Sequence, residues 1–312
     1  MQISTTTRTA LAALFTGAIA IGFAPILVRF SEVGPSATAA YRVLFALPIL
    51  GLWMRAEQAD IACLPTEQSR VRKDLSWLIL AGLFFTGDLA IWHWSLQFTT
   101  VANSTLLTNI APVFVAIGAW LFLDETIKPL FVLALALSLG GAALLASARI
   151  ELSPGHLRGD LLAILAALFY AGYLLTIKQL RRRFGSAIIM TVSGIVSCAC
   201  FFIVAALSRE TIWPTSPRAW LVVAGLGLVC HLGGQAFITY ALGHLPASFS
   251  SVSLLVQPFV AAVLAWVLLK ERLTLWQWVG GIVVLLGIFL AGRRIGWNAA
   301  AETKKEIKQA QL

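Results

Sequence analysis

One carboxylate stands in an otherwise apolar stretch, Asp88 in TGDLAIWHWSL at residues 86–96. At the middle of a membrane helix such a group costs about 2.5–3.5 kcal/mol on insertion scales unless it is paired, hydrated or protonated. Facing a wet cavity, Asp88 can take a proton or hold a substrate ammonium; facing a neighbouring donor, it is a structural partner. Trp92 lies one turn further along the same face, so that a charge and an aromatic surface can meet one ligand. His231 and Gln235, in CHLGGQAF at 230–237, share a helical face at i and i+4. An imidazole that titrates near neutrality is a candidate proton relay, and a simple hydrogen-bonded histidine is the alternative.

These residues matter in this way only if the helices carrying them cross a bilayer, and the composition says that they do. The 312 residues are 59% hydrophobic and 12% charged, against about 45–50% and about 25% in soluble domains. Ten apolar runs, at 11–28, 37–54, 75–96, 101–123, 127–147, 159–177, 187–207, 219–241, 247–269 and 273–292, each approach the roughly 20 residues that span a hydrocarbon core. They predict an all-α integral membrane protein and leave no room for a soluble catalytic domain. The first run follows Arg8, as a signal peptide would. It is long for one and has a counterpart at 159–177, so it is expected to be retained. Cys63, Cys198, Cys200 and Cys230 show neither a C-x-x-C pair nor a disulfide pattern and are expected to be small apolar helix residues.

The net charge of +9 is a matter of orientation and does not imply nucleic acid. With a cytoplasmic N-terminus, fifteen Lys and Arg fall on inside segments, among them Arg55, Arg70, Arg72, Lys73, Arg181, Arg182, Arg183, Lys304 and Lys305, and seven fall outside. Arg42, within a span, is the remaining one. The positive-inside rule then places both termini and the loops at 55–74 and 181–186 in the cytoplasm. RRRF at 181–184 reads as a topology lock. Trp53, Trp77, Trp213, Trp220 and Trp297 lie near helix ends, as an aromatic belt requires. The tail AETKKEIKQAQL is helix-prone, and its expected partner is the anionic face of the lipid bilayer.

One phrase occurs twice. PVFVAIGAWLFLDE at 112–125 and PFVAAVLAWVLLKE at 258–271 place Pro, Trp and Glu at the same intervals, 146 residues apart. Five spans separate the copies and an odd number reverses orientation, so the halves are inverted-topology repeats of five helices each. We divide the chain into a first repeat at 1–148, a second at 149–293 and a basic tail at 294–312. Pro112 and Pro258 each remove a helical hydrogen bond, at the carbonyls of Thr108 and Leu254. Their matched placement makes them candidate hinges, with Asn109 and Gln257 close enough to satisfy the freed groups or to touch substrate. Glu125 and Glu271 end their helices beside Lys128 and beside Lys270 and Arg272, and read as interfacial anchors on opposite faces. At the 146-residue offset, position 234 corresponds to Asp88, which brings His231 and Gln235 near it across the pseudo-axis. Ala134, Ser138, Ala142 and Ala146 form a small stripe for close helix approach, within the chain or between copies. The oligomeric state is therefore left open.

With the paired phrases, the small-polar segments VANSTLLTNIAP (101–112) and ASFSSVSLLVQP (247–258), GFAPILVRF (22–30), YRVLFALPIL (41–50) and FYAGYLLTIKQL (169–180), the chain resembles the drug/metabolite transporter superfamily. It is similar to the ten-helix EamA-type exporters, in particular the bacterial aromatic amino acid exporter branch. The resemblance implies a secondary transporter of the cytoplasmic (inner) membrane that exports small-molecule substrates by alternating access around a midplane cavity. Amino acids, aromatic ones included, are the first expectation, and nucleosides or sugars the alternative. It further implies that some of Phe23, Phe169 and Tyr173, on the first and sixth helices, face the cavity. One departure stands out: family members commonly carry uncharged residues where this chain has Asp88.

A polytopic enzyme acting on a lipid-soluble substrate is the rival class. It needs converging histidines or paired carboxylates, whereas His93, His156, His231 and His244 are scattered in sequence and Asp88 has no acidic partner within the membrane. No P-loop GxxxxGK[ST] is present, and no cofactor or metal site is expected. Rings of charge or a carbonyl filter, as in a channel, are not evident in the sequence.

Overall fold

The computed structural model describes residues 4–61, 68–146, 156–270 and 272–310, excepting the side chains at 58–61, 68–73, 101–102 and 294–310. Cys63, Glu271 and the side chain of Trp297 lie outside the described residues. Ten helical spans are long and apolar enough to cross a membrane: Thr5–Arg29, Pro35–Glu57, Asp74–Ser95, Asn103–Phe122, Pro129–Ala146, Leu157–Leu180, Ser186–Leu207, Pro217–His244, Ala247–Leu269 and Leu275–Arg293. They are numbered here in chain order. The ten runs expected from the sequence are all present, with ends that differ by a few residues. Leu207, Leu221, Phe122 and Leu275 are 74–79% exposed, as lipid-facing side chains must be. The eighth span is the most enclosed, with 56% of its apolar window buried against 28% in the ninth, which makes it a central element.

Four spans are interrupted, and each break lies two to four residues before a proline. Helix is lost at Phe23 before Pro25, at Phe45 and Ala46 before Pro48, at Asn109 and Ile110 before Pro112, and at Leu254 and Leu255 before Pro258. The ring displaces a helical hydrogen bond, and the turn tightens locally. At the matched pair, the amide of Ile110 donates to the Leu107 carbonyl (3.2 Å) and that of Leu255 to the Val252 carbonyl (3.1 Å). Pro112 and Pro258 thus sit at breaks, as expected, and Pro25 and Pro48 add two that the repeat did not suggest. The small-polar segments before the paired prolines are satisfied within their helices: Thr108 donates to the Ser104 carbonyl (2.8 Å) and Ser253 to the Phe249 carbonyl (3.0 Å).

Contacts through glycine repeat across a pseudo-twofold axis. On the third span a Cβ at Gly82 would stand 2.6 Å from the Ser193 carbonyl oxygen and 2.8 Å from the Val196 Cβ; on the eighth, one at Gly227 would stand 3.0 Å from the Arg42 carbonyl oxygen and 2.6 Å from the Phe45 Cβ. Third-on-seventh and eighth-on-second are therefore one interface made twice. The fifth and tenth spans pack along their length, Gly141 against Gly280 and Gly287 against Ala134 and Ser138. Ala134, Ser138 and Ala142 are at most 3% exposed, so the small stripe is used within the chain.

Carboxylates cap helices of the opposite repeat. Glu57, ending the second span, accepts from the amides of Ala187 (3.2 Å) and Ile188 (3.4 Å) at the start of the seventh. Reciprocally Glu210, after the seventh span, accepts from the amides of Ser36 (2.8 Å) and Ala37 (3.1 Å) and from the Ser36 hydroxyl (2.8 Å) at the start of the second. Both capped helices begin after a glycine with ordinary φ, Gly34 (−60°) and Gly185 (−64°). The missing side chain leaves room for the carboxylate, which a Cβ would strike. Glu125 accepts from the amides of Ala247 (2.6 Å) and Ser248 (3.1 Å). It is a cross-repeat cap rather than the surface anchor expected from Lys128, because free amides at a helix start bind a carboxylate more specifically than an exposed ammonium does.

Because Gly34 and Glu210 serve one cap, Gly34→Ala and Glu210→Ala are each expected to destabilise the protein by about 1–2 kcal/mol. The double variant should lose little more than either single one. Thermal unfolding of the purified protein in micelles measures this, and additive losses would show that the two residues act separately.

Candidate functional site

Glycines bring the third and sixth spans close. Gly87 lies under the Phe169 ring, Gly172 under Phe84, and the two rings meet edge to face at 5.9 Å. This contact brings Asp88, next to Gly87, onto a turn that faces the one carrying Tyr170, next to Phe169, and Tyr173, next to Gly172. The eighth span, of the second repeat like the sixth, closes the group. Its central stretch, Leu226–Gln235, is π-helical and contains both His231 and Gln235; the corresponding third span is α-helical throughout Gln68–Ser95. Wide π turns in membrane and soluble helices often accompany functional sites.

Asp88 is 6% exposed, and Tyr173, His231 and Gln235 are each 2% exposed. Gln235 donates from Nε2 to the Tyr173 hydroxyl (3.1 Å), and that hydroxyl and Thr239 both face the Met190 sulfur, at 4.0 and 3.3 Å. Phe85, one turn before Asp88, packs on His231 (ring centroids 5.6 Å) and on Tyr173 (5.1 Å). Neither ring nitrogen of His231 has a hydrogen-bond partner within the protein, nor has Nδ1 of His93. The field of Asp88 reaches Tyr170 and Tyr173. A buried carboxylate, two tyrosines, an amide and an open imidazole thus face one region from both repeats.

Arg42 joins this group and was not picked out by sequence reasoning. From the second span its guanidinium acts through space on Asp88, His93, Tyr170, Tyr173, Cys230 and His231. Its Nε is buried without a partner. A signal existed: it is the one basic residue that the loop-charge tally leaves inside a span. Tyr170 and Phe85 carried no such signal, because an aromatic in a membrane helix is ordinary.

The other expected residues have contacts of their own. Trp92 is half-buried on the ring of His93 (5.1 Å). Phe169 is occupied in the third–sixth contact, and Phe23 packs with Ala24, Leu226 and Cys230 between the first and eighth spans. Asn109 ends the helix before the Pro112 break, and Gln257 opens the one after Leu255, its Nε2 buried without a partner. A separate, apolar cleft of about 710 Å³ lies at the start of the eighth span, between Phe45, Trp220 and Ala224. Neither Arg42 nor Asp88 lines it.

The repeat relation also refines one correspondence. Gly82 and Gly227 are 145 residues apart, whereas Ser193 and Val196 stand 151 from Arg42 and Phe45. At those offsets Asp88 corresponds to Gly233, one residue before position 234, and Arg42 to Ser193. Both charges therefore come from the first repeat.

Ten spans in two inverted halves, closed around a polar cluster, define a membrane transporter. The family comparison agrees: residues 8–147 and 157–293 each match the EamA-like transporter family, and the chain belongs to that family, within the drug/metabolite transporter superfamily. An uncharacterized transporter of Archaeoglobus fulgidus is 24% identical over 272 residues, 85% of this chain and 90% of that protein. The pseudopaline exporter CntI of Pseudomonas aeruginosa is 24% identical over 265 residues, 84% of this chain and 89% of that protein. A solved crystal structure, 18% identical, superimposes with a TM-score of 0.76 over 91% of this chain and 96% of its own, which shows the shared fold.

Proposed function

We propose that this chain is a secondary transporter of the cytoplasmic membrane, exporting amino acids, aromatic ones included, by alternating access around the Asp88 cluster. One observation carries the reading: a mid-span carboxylate of the first repeat, 6% exposed, stands among tyrosines and an unpartnered imidazole of the second. The carboxylate suits an ammonium or a proton, and the rings suit an apolar or aromatic side chain. The likeness to a protein named as an exporter supports the outward direction. Family membership favours a carrier over a membrane enzyme. Counterflow into proteoliposomes, across amino acids, nucleosides and sugars at equal and unequal pH, tests the substrate class; exchange restricted to sugars or nucleosides would overturn it.

The fifteen-to-seven charge bias supports cytoplasmic termini. In intact cells an impermeant thiol reagent should modify the variant His156→Cys and spare Arg183→Cys; the reverse pattern would invert the topology. The breaks at Pro112 and Pro258 support hinges in opposite halves. Pro112→Ala and Pro258→Ala should shift thiol accessibility toward opposite faces, and unchanged accessibility and transport in both would reduce the prolines to packing features.

Asp88→Asn keeps the shape and removes the charge. The variant is expected to fold with normal yield and thermal stability and to lose at least tenfold in transport. If Asp88 carries a proton, flux driven by a pH gradient fails while exchange at equal pH survives; if it binds an ammonium, both fail. Normal pH-dependent flux through the purified variant would remove Asp88 from the mechanism, and loss of stability in parallel with activity would make it structural.

A further inference from the structure

We infer that Arg42 is the anion-binding arm of this site: its guanidinium receives the carboxylate of a substrate whose ammonium lies at Asp88, so that the ligand is a zwitterion held by the second and third spans. The inference rests on the transporter reading of the same cluster and adds a specificity-determining residue to it. It begins with the position of Arg42. Its backbone is fixed against the eighth span, where a Cβ on Gly227 would come within 3.0 Å of the Arg42 carbonyl oxygen. Gly227 is one turn before His231. The backbone that carries the guanidinium is thus anchored at the junction of both repeats, and the guanidinium charge bears on Asp88, His93 and His231.

The bonding of Arg42 is incomplete. A guanidinium carries five donors in a planar fork suited to two parallel bonds with a carboxylate. Here Nε is buried without a partner, and so are both ring nitrogens of His231 and Nδ1 of His93. An arginine whose whole task was to neutralise Asp88 would be expected to spend its fork on that carboxylate. Arg42 instead acts on it through space and leaves Nε open. In a medium that cannot hydrate them, opposite charges with an incompletely bonded guanidinium are complementary to a molecule carrying both charges. A pure cation leaves Arg42 unanswered and a pure anion leaves Asp88 unanswered, whereas a zwitterion meets both without adding net charge.

The repeat relation sharpens the assignment. Ser193 and Gly233 stand where the second repeat would place counterparts of Arg42 and Asp88. Ser193 already donates to the Ile189 carbonyl (2.7 Å), and glycine has no side chain. The charged ends of the ligand are therefore read by one half, and the other half contributes His231 and Gln235.

The test uses the purified full-length protein in proteoliposomes and three probes: an amino acid that the wild type exchanges, its methyl ester and its decarboxylated amine. Wild type should exchange the amino acid at least tenfold faster than either analogue. Arg42→Gln should lower amino acid exchange at least tenfold while leaving amine exchange within about twofold, and Arg42→Lys, which keeps charge without the fork, should fall between. If Arg42 only neutralises Asp88, Arg42→Gln lowers amine and amino acid exchange alike. Equal loss of amine and amino acid, or unchanged exchange, would each overturn the inference. Should Arg42→Gln fail to fold, the wild type alone decides, because an ester exchanged as fast as its parent acid rules out carboxylate recognition. Exchange of amino acids with no preference over the ester sinks only the role of Arg42. Wild-type exchange of sugars or nucleosides alone sinks the proposed function with it.

Discussion

Hydrocarbon supplies no hydrogen bonds, and most of what distinguishes this structure follows from that constraint. Serines and threonines in the spans turn back on their own helices, as Ser193, Ser250 and Thr86 do. Exposed amides at helix starts are answered by Glu57, Glu125 and Glu210 from the facing repeat. Even Lys178 spends its ammonium on the carbonyl just after the eighth span, that of Leu245 (2.9 Å). Where so many polar groups are satisfied, those that are not carry information. Arg42 Nε, His93 Nδ1 and both nitrogens of His231 are among the few buried polar atoms left open in the described residues, with Gln257 Nε2, Arg181 Nε and three hydroxyls. A buried donor without a partner in the protein is costly, so water or a ligand that answers it is favoured.

The reciprocal caps also tie the two repeats at their ends. Glu57 and Glu210 each hold the first turn of a helix in the other half, and glycine at both N-caps makes the space. The seam of the fifth and tenth spans closes through small residues with no polar bond required. The caps hold the span ends, whereas the four proline breaks interrupt the hydrogen-bond ladder inside the spans, where kinks in helices arise.

Length, hydropathy and an odd number of spans made the ten helices and their inverted pairing legible in the sequence, since each rests on a local pattern. Asp88 was legible for the same reason, as a charge in the wrong solvent. Arg42 obeys the same rule and was set aside because a loop-charge tally treats an arginine as evidence of topology. The caps were not legible. Glu57 and Glu210 sit in polar termini where a carboxylate is unremarkable, and only the fold brings each to an amide some 130 or 170 residues away. A single repeat offset also failed: loops of different length shift it from 145 to 151 between span pairs. Glu125 was misread because Lys128 is near in sequence, whereas Ala247 is near in space.

The same comparison separates what the two halves share from what they do not. Backbone approach at Gly82 and Gly227 is repeated, and so are the tightened turns at Ile110 and Leu255. The chemistry is single: both charges come from the first repeat, and the π-helical stretch from the second. On the proposed function, hinges in both halves would let the bundle open toward either side, because each arrangement would be the other with the halves exchanged. An asymmetric site would then stay with the helices that hold it while access changes around it. A carrier needs both properties, since a ligand whose two charged ends were divided between exchanging halves would have to break and remake those contacts in every cycle.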